Sequence, residues 1–244
     1  MPANIFAFIP SYRGQISGVT FDSTHSLAPA LLQKGIGIAF GRYSWFDIAE
    51  LRNIILSWWY DMMPEHTHLL FIDDDMGFPP QCVLDMLSFD EPVVGAMYRK
   101  KSLEYDWAAS GLPLGTADFR GRSFLEVEGI GTGLMLIRRD AVARLIEDQP
   151  AMIRQHMLIA DFEQCKRTLG FFDPIMTEKG KVAEDISFCR RWRQAGGKVW
   201  ANLNHEITHV GDHEFKGCYA RWRMESEVGN DGKGVQADNG QSAA

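Results

Sequence analysis

The chain has 244 residues, 45% of them hydrophobic and 23% charged, with 32 acidic against 25 basic side chains and a formal net charge of −7. A chain of this size buries roughly 70–75% of the surface its unfolded form exposes, so it needs neither disulfide nor metal staples to hold a core. The acidic excess gives no support to broad electrostatic binding of nucleic acid, which comes from Lys and Arg neutralising phosphates; it leaves room for a local basic groove. Cys82, Cys165, Cys189 and Cys218 form no C-x-x-C pair, which fits a reducing compartment. The longest apolar stretch, Ile54 to Met63, is broken by Asp61 and falls well short of the ~20 residues of a bilayer span. With no basic leader before Ile5, a cytoplasmic chain without a membrane anchor is expected.

Short apolar runs rich in β-branched or aromatic residues alternate with helical patterns, which predicts α/β units around a largely buried sheet. In chain order the strands fall at Ile5–Ile9, Gly37–Phe40, Leu69–Ile72, Val93–Met97, Leu134–Ile137 and Lys198–Ala201. Between the second and third, Asp47 to Met63 sets Ile48, Leu51, Ile55, Trp58 and Met62 on one side at helical spacing, with Asp47 and Glu50 resembling a capping box. Further helices are predicted at Pro80–Leu87, at Asp140–Gln149 with Asp140 as cap, and from Glu184 to Ala195, ended by Gly196-Gly197. The stretches Lys101–Phe124 and Ala151–Lys181 lack periodicity and are expected to be loops that shape a site. From Glu225 the composition turns to Gly, Ser, Asn, Asp and Gln, so a domain over residues 1–224 and a disordered polar tail over 225–244 are expected.

The strongest local signal is His68-Leu69-Leu70-Phe71-Ile72-Asp73-Asp74-Asp75-Met76-Gly77, a buried strand running into three carboxylates. In extended chain Asp73 and Asp75 share one face and Asp74 takes the other. Like charges crowded at a strand end are costly unless solvent or a cation neutralises them. A solvated acidic turn is the plain reading; a Mg²⁺ or Mn²⁺ site holding a nucleotide diphosphate is the sharper one, because open α/β sheets bind ligands at that edge. Glu184 and Asp185 open a predicted helix, where carboxylates suit the macrodipole, or where one acts as a general base. His205-Glu206-Ile207-Thr208-His209 formally matches the H-E-x-x-H zinc-peptidase pattern, yet Ile207, Thr208 and Val210 make a poor helix interior, and that chemistry needs a helix. His209 alone is the more plausible partner for the aspartates. Gly129, Gly131 and Gly133 allow close backbone approach to a ligand, or a turn. Arg52 and Asn53 read as a solvated helix face, and Arg190, Arg191 and Arg193 as an exposed one. Arg99-Lys100-Lys101 directly follows a strand, where it can meet phosphate.

Taken in order, Pro10-Ser11-Tyr12-Arg13-Gly14-Gln15, Leu51-Arg52-Asn53, the Asp73–Asp75 run, Val93 to Lys101, Gly131-Thr132-Gly133, Glu184-Asp185-Ile186 and His209-Val210-Gly211 resemble the A-type (GT-A) nucleotide-sugar glycosyltransferases. The resemblance is to the compact, inverting, family-two-like kind found in bacteria and bacteriophages. It implies a single Rossmann-like α/β GT-A domain with a mostly parallel central sheet flanked by helices. It further implies that Pro10, Ser11, Tyr12 and Arg13 lie by the nucleoside with Arg52 and Asn53 nearby, and that Asp73, Asp74, Gly131 and Gly133 line the donor site. Asp73 and Asp75 become the D-x-D aspartates that hold Mn²⁺ or Mg²⁺, His209 completes the metal site, and Asp185, beside Glu184, matches the catalytic base. Phe40-Gly41-Arg42 stands where many relatives carry an acidic residue that reads the base. The expected partners are a nucleotide-sugar donor, UDP-sugar favoured, and an acceptor that is a glycan, protein, lipid or hydroxymethylated DNA base. The competing functions are a zinc metallopeptidase using His205, Glu206 and His209, and a non-catalytic nucleotide or glycan binder.

Overall fold

The computed structural model describes residues 3–12, 14–111, 113–155 and 160–231. Strand β1 (Asn4–Ser11) leads into helix α1 (Gly18–Leu32), followed by β2 (Gly37–Ser44), α2 (Ile48–Met62), β3 (His68–Ile72), the short β4 (Met76–Gly77), α3 (Pro80–Phe89) and β5 (Val93–Ala96). Then come β6 (Ala109–Ser110), β7 (Gly115–Phe119), β8 (Arg122–Val127), β9 (Gly129–Ile130), β10 (Leu134–Arg138) and α4 (Arg139–Asp148). The last third holds two short antiparallel pairs, β11 (Ile153–Arg154) with β12 (Thr168–Leu169) and β13 (Met176–Thr177) with β14 (Gly180–Lys181). It ends with α5 (Glu184–Gln194), β15 (Val199–Asn202), β16 (Ile207–Val210), β17 (Glu214–Gly217) and α6 (Tyr219–Asp231).

Eight strands form the central sheet in the order β2-β1-β3-β10-β5-β15-β8-β7, with β10 and β8 reversed against the other six. This is the Rossmann-like α/β arrangement expected, a mostly parallel sheet with helices on both faces. Period-two alternation divides each central strand between two cores. Phe6 and Phe8 of β1 and Leu69 and Phe71 of β3 face α2, α4 and α5. Ile5, Ala7 and Ile9, with Leu70 and Ile72, face α1 and α3. All four cysteines are free, and among the described residues no helix is long and apolar enough to cross a membrane.

Three departures from the sequence expectation have physical reasons. Helix α1 lacks an apolar stripe because its buried face is Thr20, Ser23, Leu27 and Leu31, half of it hydroxyls, and Pro29 lies within it; Ser17 caps it. The expected loop at 101–124 contains the β7–β8 hairpin, turned at Arg120 and Gly121, both at positive φ as a tight two-residue turn requires. The boundary expected after residue 224 falls inside α6, where Arg223 pairs with Glu227 one turn on and the Ser226 hydroxyl donates to the Trp222 carbonyl. Residues 232–244 lie outside the described residues.

Candidate active site

The carboxyl ends of β1, β3 and β5 and the amino end of the reversed β10 share one edge of the sheet, and the amino end of α5 meets them there. At that edge Asp73, Asp74 and Asp75 reach different partners. Asp73 Oδ1 accepts from Arg52 Nη2 at 2.6 Å. Burial pushes the Asp74 carboxyl up, against the pull of the Ser11 hydroxyl beside it. Asp75 accepts from the Lys101 ammonium through Oδ2.

The other oxygen of Asp75, Oδ1, is buried without a hydrogen-bond partner and lies 3.5 Å from His209 Nε2. Backbone pairing brings them together: β16 runs antiparallel to β4 with His209 opposite Met76, and the Val210 N–H donates to the Asp75 carbonyl at 2.9 Å. His209 Nδ1 sits 3.0 Å from the Arg99 carbonyl, which can only accept, so Nδ1 carries the hydrogen. Nε2 is the ring atom left to face Asp75 Oδ1. A carboxylate oxygen and an imidazole nitrogen are both atoms that can ligate a divalent cation. Among the described residues no group of three or more His, Cys, Asp or Glu side chains is placed to hold a metal.

Arg52 corrects the reading of a solvated helix face. It is 3% exposed, inside the molecule, and its guanidinium bridges Asp73 of the sheet edge to Glu184 at the start of α5. Burial alone would depress it, but the Asp73 and Glu184 carboxylates hold it above its ordinary value. Asn53, expected beside the nucleoside, is fully buried. Its carboxamide is used up by the Phe172 N–H, 2.7 Å, and the Asp173 carboxylate, 2.7 Å, so it positions that loop. Arg191 is likewise buried, donating to the Phe171 and Asp173 carbonyls.

Asp185 follows Glu184 in the first turn of α5. Burial, and then the neighbouring Glu184 charge, push its carboxyl up to about 6, although the Ile186 N–H donates to it at 2.6 Å. A carboxylate poised there suits proton transfer near neutral pH. Tyr98, a residue to which the sequence assigns no role, sits between the two halves of the site. Burial pushes its phenol up, it accepts from the Gly133 N–H at 3.2 Å, and its ring stands edge-on to His209. The close approach that Gly131 and Gly133 permit is to this ring: a Cβ on Gly131 would lie 2.2 Å from the Tyr98 oxygen. Gly131→Ala is expected to cost about 1–3 kcal/mol in urea denaturation, with Tyr98→Phe recovering part of it.

The Asp75 and His209 pair contributes one residue to each of two cavities. One, of about 340 Å³, is lined by Tyr98, Gly131, Asp185 and His209. The other, of about 640 Å³, is lined by Tyr12, Ser17, Asp74, Asp75 and Lys101. Tyr12 is 65% exposed at its mouth, whereas Pro10 and Ser11 are buried at the end of β1. Arg13 lies outside the described residues. The zinc-peptidase pattern is not assembled: His209 is in a strand, His205 Nε2 is bonded to Asp85 at 2.6 Å, and Glu206 is paired with Arg221 at the surface. His205 lies in the bend before β16 and turns to Asp85, whereas His209 faces Asp75, so the two histidines are not brought to one site and that reading falls.

No protein-family model matches the chain, and no curated protein matches its sequence. Among solved structures, A197 from STIV is 19% identical over 90% of this chain and 91% of that one, with a TM-score of 0.51. The chain shares that protein's fold. A Drosophila β1,4-galactosyltransferase 7 mutant solved with manganese, UDP-Gal and xylobiose is 13% identical over 91% of this chain and 79% of its own, with a TM-score of 0.48. A glycosyltransferase involved in glycosylating the major capsid of PBCV-1 is 12% identical over 61% and 67%, with a TM-score of 0.34.

Proposed function

We propose that the chain is a GT-A glycosyltransferase that uses Mn²⁺ or Mg²⁺ to move a sugar from a nucleotide-diphosphate donor, UDP-sugar favoured, to an acceptor hydroxyl with inversion. The observation that carries this reading is the contact of Asp75 with His209, the first lining one cavity with Asp74 and the second lining another with Asp185. The donor set fits a divalent ion: a carboxylate oxygen with no hydrogen-bond partner faces an imidazole nitrogen. Such ions take one or two carboxylates and complete their shell with substrate phosphates and water, so a pair of protein ligands is enough. When bound, the ion supplies positive charge to the diphosphate as it departs.

The rest of the chemistry belongs to the chain. The smaller cavity receives the acceptor, and Asp185 takes the proton of its hydroxyl as that oxygen bonds to the anomeric carbon. The bond from that carbon to the diphosphate oxygen breaks with the electron pair going to the diphosphate, and attack opposite the leaving group inverts the centre. Tyr98, neutral and buried, walls the smaller cavity and keeps water from competing for the sugar. Arg52 holds Glu184, and with it the start of α5, against the Asp73 turn, so that base and donor keep their spacing. A glycan, a protein, a lipid or a hydroxymethylated DNA base each offers the hydroxyl required.

A panel of nucleotide sugars scored by Mn²⁺-dependent nucleotide release tests the reading. Asp75→Ala is expected to lose release by about 10²-fold or more while its circular dichroism stays that of the wild type. Full turnover in that variant, or in excess chelator, removes the metal from the mechanism.

A further inference from the structure

The basic run Arg99-Lys100-Lys101 is only partly accounted for by the fold. Arg99 is structural: its guanidinium donates to the carbonyls of Ser102, Leu103 and Glu104 at 3.1, 3.4 and 3.1 Å and lies 4.0 Å from the centre of the Tyr105 ring. Lys100 binds Asp106 twice, through its backbone N–H and through its side chain, each at 2.9 Å. With the bridge between Arg99 and Trp107, these bonds close residues 99–107 into a loop that holds its own shape. Lys101 projects from that fixed base toward the larger cavity and places its ammonium on Asp75.

We propose that Lys101 binds the donor's diphosphate, and that its ion pair with Asp75 is the donor-free arrangement, given up when a divalent ion takes that carboxylate. The inference rests on the glycosyltransferase reading above. Two observations carry it. Among the described residues lining the larger cavity, Lys101 is the single basic side chain, against Asp74, Asp75 and Asp212. A diphosphate entering there meets three carboxylates, and Lys101 is the cation already in place to offset them. Second, Lys101 occupies the oxygen beside the unpartnered one on the same carboxylate. An ammonium and a divalent ion on one carboxylate repel, so an ion bound there would weaken the hold of Asp75 on Lys101. Its side chain is 40% exposed, and a lysine is a compact charge on a flexible chain, able to swing from carboxylate to phosphate while the loop stays put. Ion and diphosphate therefore favour each other: the first releases the group that the second needs.

Lys101→Met keeps the stem and removes the charge. Titrated calorimetrically without nucleotide, Mn²⁺ is expected to bind this variant about tenfold more tightly than the wild type. In saturating Mn²⁺, the tightest binder among UDP, GDP, ADP and CDP is expected to bind it about tenfold more weakly, with the matching monophosphate affected less. Lys101→Arg is expected to retain the diphosphate affinity, which general damage to the fold would not allow. If either affinity in Lys101→Met equals that of a wild type that binds both Mn²⁺ and nucleotide, the role of Lys101 is overturned and the glycosyltransferase reading stands. A wild type that binds neither Mn²⁺ nor any of the four nucleotides overturns both.

Discussion

Asp185→Asn is expected to lose about 10²–10⁴-fold in transfer and, at neutral pH, to be more stable than the wild type. Both effects come from one carboxyl. Burial and the Glu184 charge raise it from the ordinary 3.8 to about 6, so ionising it costs more in the folded chain than in the unfolded one. The sign follows from proton counting. Below about pH 4 both states hold the proton and there is no penalty. Between about 4 and 6 the folded state holds a proton that the unfolded state has released, and stability falls as pH rises. Above 6 the full penalty stands, up to about 3 kcal/mol from a shift of about two pK units. Asparagine carries no charge and still accepts from the Ile186 N–H, so the stability gap should open between pH 4 and 6 in urea titrations. The wild-type rate should rise through about pH 6 and level off above it. A variant with unchanged transfer would return Asp185 to a helix-terminus role.

How far the sequence discloses this site depends on how local each interaction is. Asp73 to Asp75 stand at the end of a buried strand, and both the strand and its place at the sheet edge follow from the apolar run His68–Ile72. Helix α2 is legible from its spacing and its Asp47 cap, which the structure retains. The meaning of Arg52 is not legible, because a charge in an apolar helix has the same pattern whether it faces water or a carboxylate 132 residues away. Asn53 misleads for the same reason, its partners being 119 and 120 residues on. Helix α1 is hidden because hydroxyls that bond within the protein occupy its inner face; Ser23, for one, accepts from the Phe78 N–H. The H-E-x-x-H frame marks His209 by chance of spelling, and only the pairing of β16 with β4 shows which neighbour it serves. Residue types thus announce the chemistry, while long-range pairing decides which groups take part.

The largest expected loss of stability is that of Arg52→Met, about 3–5 kcal/mol in urea denaturation. The guanidinium is buried, with Nε lacking a partner, and it neutralises Asp73 and Glu184 at once. Methionine fills much of the same volume, so the cost is chiefly electrostatic: two half-buried carboxylates are left near a third, Asp185. Lysine is not a substitute, because one ammonium cannot make two fork-like contacts in opposite directions. The same change should act on the rate profile. Arg52 is one of the charges that lower the Asp185 carboxyl, so in Arg52→Met the midpoint of the pH–rate curve should move above 6. Glu184 raises it, so adding Glu184→Gln should bring the midpoint back down and recover part of the lost stability. Each single change breaks the same pair, and their sum should exceed the double change by a coupling of about 1–3 kcal/mol. Additive losses with a fixed midpoint would mean that Arg52 serves packing alone, leaving the base to be set by burial.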